Sequence, residues 1–217
     1  MRQKSRMFLM AFLMLGCTFF FSGCSETELE ERCFPMLAVA GYEDNKVIFD
    51  TVLANPEETG QEKTSTGAIE IPKTKEKTFT KCMEAYESRL NKQVDYNHLK
   101  VFVIEEDLIE EKDKYNQMLD YLAETEIFPR NTYVCSVDDV EDLLELGQKL
   151  PQDLGTYLEE YINKHEEGKA RILTLGDLLD EKENQSMILY MPYLKVEDNY
   201  MEWGGYVNIL GEIWQDF

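Results

Sequence analysis

Apolar runs separated by polar turns divide the chain into alternating strands and helices. Residues 36–41 and 46–53 are apolar stretches typical of β-strands, and Glu43-Asp44-Asn45 between them supplies the turn residues of a hairpin. Asn55-Pro56 ends the second strand, and the polar stretch 56–68 predicts a mobile loop. The first predicted unit is therefore a β-hairpin followed by a loop.

Helical periodicity follows at about residues 76–91. One apolar face with three- and four-residue steps is formed by Phe79, Cys82, Met83, Tyr86 and Leu90. Cys82 lies on this face, so we expect its thiol to be buried in the core. This pattern predicts an amphipathic helix packed on the sheet.

The middle of the chain alternates between strands and helices. Residues 99–104 form a near-continuous apolar run, typical of a strand covered on both faces, and 132–137 form another strand. A helix around 138–146 follows the second of these strands. The helix between the two strands should end before Pro129, and its apolar stripe is Met118, Leu119 and Leu122.

Two helices and two strands close the chain. The helices are predicted over 152–165 and 174–182, and the β-rich stretches over 187–196 and 203–210. The Met191-Pro192 step suggests an edge strand or a bend. The order of elements predicts an α+β fold: a mixed sheet with a parallel βαβ-type core, antiparallel terminal strands and helices packed on it.

The N-terminus carries the pattern of a secretory signal. An apolar stretch at 7–21 is shorter than the ~20 residues that a membrane-spanning helix needs. Small residues at 22–23 then precede Cys24, the pattern of a lipoprotein signal peptide over 1–23. The basic residues before the apolar stretch are Arg2, Lys4 and Arg6. We predict that the thiol of Cys24 receives a diacylglyceryl group.

Cys17 is a rival lipidation site. Cleavage before Cys17 would leave the apolar segment 18–21 at the new terminus, whereas cleavage before Cys24 leaves the acidic segment 25–31. An acidic segment is readily hydrated at the membrane surface, whereas an apolar one is not. The two acyl chains of a diacylglyceryl group are enough for stable anchoring. We therefore expect the lipid on Cys24.

Cleavage before Cys24 leaves a strongly acidic mature chain. Residues 24–35 would form the lipidated cysteine and an acidic tether, and 36–217 one extracytoplasmic domain. The formal charge falls from −21 to −24 because three basic residues and no acidic ones precede Cys24. This charge opposes binding to nucleic acid or to an anionic lipid surface. We expect no nucleic-acid partner.

Residues that could carry chemistry are few and scattered. His98 is a candidate general base with Cys82 as its nucleophile, but no third orienting group accompanies them, so we expect a structural imidazole. His165 is expected to be solvated. The acidic pairs 138–139 and 141–142 fit a helix N-terminus better than a cation site. The sequence predicts no catalytic residue, no metal site and no cofactor.

The remaining cysteines have no metal-site or redox spacing. They are Cys33, Cys82 and Cys135. One disulfide would be compatible with an oxidising exterior, but an odd count leaves a spare thiol. We expect buried, inert thiols.

Aromatic residues concentrate towards the C-terminus. Core packing would explain them, and so would a contact surface, since Tyr and Trp are frequent at interfaces. The candidate partner surface consists of Tyr193, Tyr200, Trp203, Tyr206 and Trp214.

Five stretches in order resemble one family. They are Gly23-Cys24 with a following acidic segment and Arg32, the strand pair 36–53 ending in Ala54-Asn55-Pro56, the segment 96–104, the segment 126–134, and Thr174-Leu175-Gly176-Asp177-Leu178-Leu179. The chain resembles the N-terminal domain of the Ger(x)C lipoproteins of spore germination receptors. The resemblance runs from the lipidation motif to about residue 210. Ser25 stands where the family usually has tryptophan, and we expect the family's usual C-terminal domain to be missing.

The resemblance implies a non-enzymatic lipoprotein on the outer face of the cytoplasmic membrane, or of the inner spore membrane in a spore former. Its partners there would be polytopic membrane receptor subunits, and the complex would sense small nutrient germinants. One alternative is a stand-alone extracytoplasmic lipoprotein that binds a small solute. An exported hydrolase is a further alternative.

Overall fold

In the part of the chain that the structure describes, a mixed β-sheet of eight strands organises the fold. The computed structural model describes residues 32–53, 73–165, 173–184, 190–208 and 213–214. The strands are β1 (Arg32–Cys33), β2 (Pro35–Glu43), β3 (Lys46–Leu53), β4 (Thr74–Glu76), β5 (Gln93–Val94), β6 (Val101–Glu105), β7 (Tyr133–Val137), β8 (Tyr190–Glu197), β9 (Tyr200–Asn208) and β10 (Ile213–Trp214). The helices are α1 (Phe79–Arg89), α2 (Glu106–Glu110), α3 (Lys112–Thr125), α4 (Val140–Lys149), α5 (Leu154–His165) and α6 (Leu175–Asn184).

Four parallel strands lie at the centre of the sheet. β8, β7, β6 and β2 are neighbours in that order, and each adjacent pair is parallel. Antiparallel strands extend the sheet on both sides, with β3 and β4 beyond β2 and with β9 and β10 beyond β8. The predicted α+β fold, with its parallel core and antiparallel terminal strands, is confirmed.

Helices cover both faces of the sheet. The first core lies under α1, α2, α3 and α6 and receives Phe102 and Ile104 from β6. The second core lies under α4 and α5 and receives Val101 and Val103 from the same strand. All four of these side chains are completely buried. The prediction that this strand is covered on both faces is therefore confirmed.

The same three residues, Glu-Asp-Asn, form the turn of both long hairpins. Asp44-Asn45 connects β2 to β3, and Asp198-Asn199 connects β8 to β9. All four residues have positive φ, between 49° and 66°. Two consecutive residues of this kind match the twist of an antiparallel pair, and Asn and Asp tolerate that backbone conformation better than other side chains. The predicted first hairpin is confirmed.

Two predicted boundaries were wrong. The helix predicted from residue 76 begins at Phe79, because the side chain of Thr78 accepts a hydrogen bond from the N–H of Lys81 and caps the helix. Residues 74–76 instead form β4. His98, predicted to open a strand, ends a 3₁₀ turn over Tyr96–His98, and the strand starts at Val101.

Pro192 does not mark an edge strand. β8 lies inside the sheet, between β7 and β9. Its pairing with β7 involves only Tyr193 and Leu194, so Pro192 stands just outside that ladder and opposite Tyr206 of β9. A proline lacks the N–H that a ladder on both sides would need. Pro192 is tolerated inside the sheet because β7 does not pair with β8 at this position.

The fold begins before residue 36, which was predicted as its first residue. β1 pairs in parallel with β5, and the N–H of Asp95 donates to the carbonyl of Cys33 at 2.9 Å. The guanidinium of Arg32 also pairs with Asp95 at 3.2 Å. Residues 32–35, assigned above to the tether, are thus part of the folded domain.

Gly155 lets α5 approach β2 closely, and its replacement tests this packing. A Cβ on Gly155 would lie 2.7 Å from the carbonyl carbon of Met36, which is backbone and cannot rotate away. We expect Gly155→Ala to lower the free energy of unfolding by about 1–3 kcal/mol in chemical denaturation. Gly147→Ala is the matched control, because there the nearest atom is 2.9 Å away on the Leu154 side chain, which can move. Equal losses in the two variants would contradict this explanation.

Candidate functional site

The predicted aromatic partner surface is only partly exposed. Tyr200 is 73% exposed, whereas Tyr193 and Tyr206 are 3% and 6% exposed. Trp203 is half-buried. Trp214 belongs to β10, but its side chain lies outside the described part of the structure. Burial removes Tyr193 and Tyr206 from the candidate surface in this conformation, and the partner itself stays a prediction.

The exposed members of the set lie on opposite faces of the β8–β9 hairpin. Met201 and Trp203 pack against the second core. Tyr200 precedes Met201, and because side chains alternate along a strand it faces the other side. Tyr193 is also on that other side, in the first core, where its hydroxyl lies 3.5 Å from the Glu106 carboxylate. The members of this set whose side chains the structure describes therefore do not form one surface.

Trp203 belongs instead to a row of aromatic rings shared between α5 and β9. We call Tyr157, Tyr161, His165 and Trp203 the aromatic row. Successive ring centroids are 6.1, 4.1 and 6.2 Å apart, and successive ring planes are inclined by 32°, 28° and 23°. Tyr206 meets the edge of Trp203 at 5.6 Å. All four members of the row are half-buried.

The prediction that His165 is solvated was wrong. Its ring is stacked between Tyr161 and Trp203, and its Nδ1 lies 2.8 Å from the carbonyl oxygen of Tyr161. The position of His165 at the end of α5 suggested a solvated side chain, but β9 passes beside that end of the helix. The four-residue spacing of Tyr157, Tyr161 and His165 was the available sequence signal for this part of the row.

His98 and Cys82 occupy different environments. His98 is exposed, and its ring meets the edge of the Phe34 ring at 5.3 Å. Cys82 is fully buried on α1, where its Sγ donates to the carbonyl of Val47 at 2.9 Å. Burial raises the pKa of the Cys82 thiol to about 11. A thiol that stays protonated is a poor nucleophile, so these residues do not assemble the dyad considered above.

The three cysteines of the folded domain are free thiols. Cys33, Cys82 and Cys135 are all buried, which confirms the expectation of buried thiols rather than a disulfide. Burial also raises the pKa of Cys135 to about 12. Within the described residues, no group of His, Cys, Asp and Glu side chains has the arrangement of a metal site.

The acidic pairs lie at the N-terminus of α4, as predicted. The Asp139 carboxylate accepts a hydrogen bond from the N–H of Asp142 at 3.0 Å and caps the helix. Asp138 accepts from the N–H of Asp139 at 3.0 Å. Glu141 reaches away from the helix to Lys73, with 2.6 Å between the charged atoms. Negative charge near the first helical turn is favourable, which explains this run of acids.

Glu141 and Lys73 border a small cleft at the carboxyl ends of β2 and β6. Asp50 and Glu105 also line the cleft, which encloses about 280 Å³ including open solvent at its mouth. The enclosed space itself is only about 20 Å³, far below the roughly 300–1,000 Å³ typical of small-molecule sites. The N–H of Tyr42 donates to the Glu105 carboxylate at 3.2 Å. The cleft thus resembles a structural charge cluster more than a solute-binding site.

Burial raises the proton affinity of two of the three carboxyl groups that line the cleft, those of Asp50 and Glu105. It raises the pKa of Asp50 to about 6, although the Thr51 N–H and the charge of Lys73 act in the opposite direction. Burial also raises the pKa of Glu105. The Asp50 carboxylate is therefore costly to keep charged at neutral pH.

Asp50→Asn should stabilise the protein above pH 6. The folded state holds the Asp50 proton up to about pH 6, whereas an unfolded chain releases it near pH 4. The free energy of unfolding therefore falls as pH rises between these values and stays lower above them. We expect Asp50→Asn to raise the free energy of unfolding by about 1–3 kcal/mol at pH 8 and to change this free energy little at pH 4.

Urea denaturation of the full chain at both pH values measures this difference. Glu145→Gln is the control, because Glu145 is exposed on α4 and loses the same charge. If Glu145→Gln stabilises the protein at pH 8 as much as Asp50→Asn does, overall charge and not burial is responsible.

The predicted lipidation site lies outside the described residues, as do the rival Cys17 and the predicted loop 56–68. None of the helices in the described part of the chain has the length and hydrophobicity needed to cross a membrane.

Comparison with known proteins identifies the family. No curated protein and no solved structure matches the chain significantly. The profile of the family described as "Spore germination protein N-terminal domain" matches residues 25–196. The match covers the parallel core and the helices on both of its faces, and it connects the protein with spore germination. The chain belongs to the family of spore germination protein N-terminal domains.

Proposed function

We propose that this protein is a non-enzymatic, lipid-anchored subunit of a spore germinant receptor, with a binding or scaffold role beside polytopic membrane subunits. The family match carries the proposal. It starts at residue 25, directly after the predicted lipidated Cys24. The domain would therefore follow the anchor without an intervening linker domain.

The charge of the chain favours a protein partner at the membrane. After cleavage before Cys24 the chain would carry −24, so anionic headgroups would repel it although a lipid would hold it near them. Basic segments of a membrane protein would relieve this repulsion. The free thiols and the exposed, unassisted His98 suit a binding role better than a catalytic one.

The anchor is the first part of the proposal to test. We expect the mature N-terminus to be Cys24 carrying a diacylglyceryl group, because only this cleavage leaves a polar tether. Mass spectrometry of the purified N-terminal peptide measures it. Cys24→Ala should abolish the modification and release the protein from membranes, whereas Cys17→Ala should change neither. A lipid on Cys17, or an unmodified N-terminus, contradicts the assignment.

The membrane partner is the second part to test. We expect the tagged full chain, purified in mild detergent from a sporulating host, to bring down a polytopic membrane protein at about 50 mM salt and much less of it at about 500 mM. Screening of opposite charges is the reason for the loss. Mass spectrometry identifies the protein, and a tagged lipoprotein of unrelated sequence is the control. If no polytopic protein is recovered at low salt, a stand-alone solute-binding lipoprotein becomes the better hypothesis.

A further inference from the structure

The two ends of the parallel strands form two separate surfaces of the domain. β2, β6, β7 and β8 run in the same direction, so the connections that leave them lie at one end of the sheet and those that enter them at the other. We call the first surface the carboxyl end, which consists of residues 43–46, 105–107, 137–139 and 197–199. We call the second the amino end, of which the structure describes residues 32–35, 91–100 and 126–132.

The carboxyl end is strongly acidic. Its acidic residues are Glu43, Asp44, Glu105, Glu106, Asp107, Asp138, Asp139, Glu197 and Asp198. Lys46 lies within these connections, and Lys73 and Lys75 reach them from the edge of the sheet. Lys75, for example, pairs with Glu43 at 3.2 Å and with Asp44 at 2.7 Å. Carboxyl groups therefore far outnumber ammonium groups at this end.

The described part of the amino end is electrically balanced. Its ion pairs are Arg32 with Asp95, Lys100 with Glu159 of α5, and Arg130 with Asp180 of α6. The other charged residues of these segments are Lys92 and Glu126, which have opposite signs. The charge of the domain is thus distributed unevenly along the strand direction.

The chain that comes from the predicted anchor enters the domain at the amino end. The pairing of β1 with β5 and the hydrogen bond from the N–H of Asp95 to the carbonyl of Cys33 fix this point of entry. Eight residue steps separate Cys24 from Arg32, so Arg32 lies at most roughly 29 Å from the lipidated residue. β2 has nine residues, so its two ends are roughly 26 Å apart. A domain with its carboxyl end on the membrane would therefore need an almost fully extended chain between Cys24 and Arg32.

We propose that the anchored domain stands with the amino end of its sheet on the membrane surface and with its carboxyl end directed away from the membrane. This inference rests on the proposed function for the anchor, and on β1 and the charge distribution for the direction. An anionic membrane surface repels nearby acidic groups, and salt limits this repulsion to about 10 Å. The repulsion is therefore smallest when the balanced end faces the headgroups.

The acidic segment between the anchor and the domain does not alter this preference. Its glutamates are Glu26, Glu28, Glu30 and Glu31. The covalent connection to Cys24 keeps them close to the headgroups in either orientation, so their repulsion is the same in both. The charges of the folded domain therefore decide between the two orientations.

Distances of two labelled positions from the membrane test the orientation. The lipidated full chain is bound to vesicles that contain about 30% phosphatidylglycerol, and energy transfer is measured from a dye on the protein to an acceptor on the lipid headgroups. Asn91→Cys places the dye at the amino end and Asp107→Cys at the carboxyl end, and both positions are exposed. The native thiols Cys33, Cys82 and Cys135 are buried and do not compete for the dye in the folded protein.

We expect the dye at position 91 to lie closer to the headgroups than the dye at position 107 by about 15 Å or more, since the two ends are one strand length apart. Equal distances, or a shorter distance from position 107, overturn the proposal. Both labelled variants must keep the wild-type melting temperature, and a variant that does not is replaced by a cysteine at an exposed neighbour, Lys92→Cys or Glu110→Cys.

Charge variants test the physical cause of the orientation. Glu197→Gln with Asp198→Asn removes two acids from the carboxyl end and should reduce the difference between the two distances. Glu84→Gln with Glu124→Gln is the matched control, because it removes two exposed acids from α1 and α3 outside the two ends. The control should leave the difference unchanged. Equal effects of the two double variants would show that total charge and not its placement is responsible, and would overturn the proposal.

The orientation and the anchor fail separately. If Cys24 carries no lipid, the anchor in the proposed function is wrong, and the orientation is measured with six histidines in place of Cys24 on vesicles that contain a nickel-chelating lipid. The same difference between positions 91 and 107 is then expected. If Cys24 carries the lipid but the two positions are equally far from the headgroups, the anchor stands and the orientation proposal fails.

Discussion

The rest of the structure depends on burying β6 on both of its faces. The side chains from Val101 to Ile104 alternate between the two cores and are completely excluded from water, so neither face can be left uncovered. Parallel neighbours on both sides require crossover connections, and these connections are the helices that cover the sheet. The long apolar run of one strand thus dictates a three-layer arrangement for the whole domain.

The two hairpins extend this core without adding a new layer. Each uses an Asp-Asn turn, and each adds antiparallel strands at one side of the parallel centre. The outer strands β4 and β10 are only three and two residues long. Short edge strands offer little unpaired backbone to other chains, which suits a domain that is proposed to work in a crowded membrane assembly.

Acidity at the cleft is compensated within the domain. Lys73 is shared between Glu43 and Glu141, whose carboxylate oxygens lie 3.8 and 2.6 Å from its ammonium nitrogen, so positive charge already lies among the carboxylates. Burial nevertheless raises the pKa of Asp50 and of Glu105 in the same cleft.

The sequence by itself determined the elements and the class of fold. The continuous apolar run of β6, the stripe of α1 and the turn Asp44-Asn45 are local patterns, and the structure confirms each of them. The ordered motifs also indicated the family. The short strands β4 and β10 were not predicted, because two or three residues are too few to show the alternation of apolar and polar side chains that marks a strand.

Only the tertiary structure decided which elements meet. Periodicity tells which face of its own helix or strand a side chain occupies, but it does not tell which element covers that face. Trp203 and Tyr193 therefore looked alike in the sequence and lie on opposite sides of the sheet. His165 gained its stacking partner from β9, and Asp50 its raised pKa from burial beside β2 and α4. Contacts between residues distant in the sequence fix these properties, so no local pattern could have shown them.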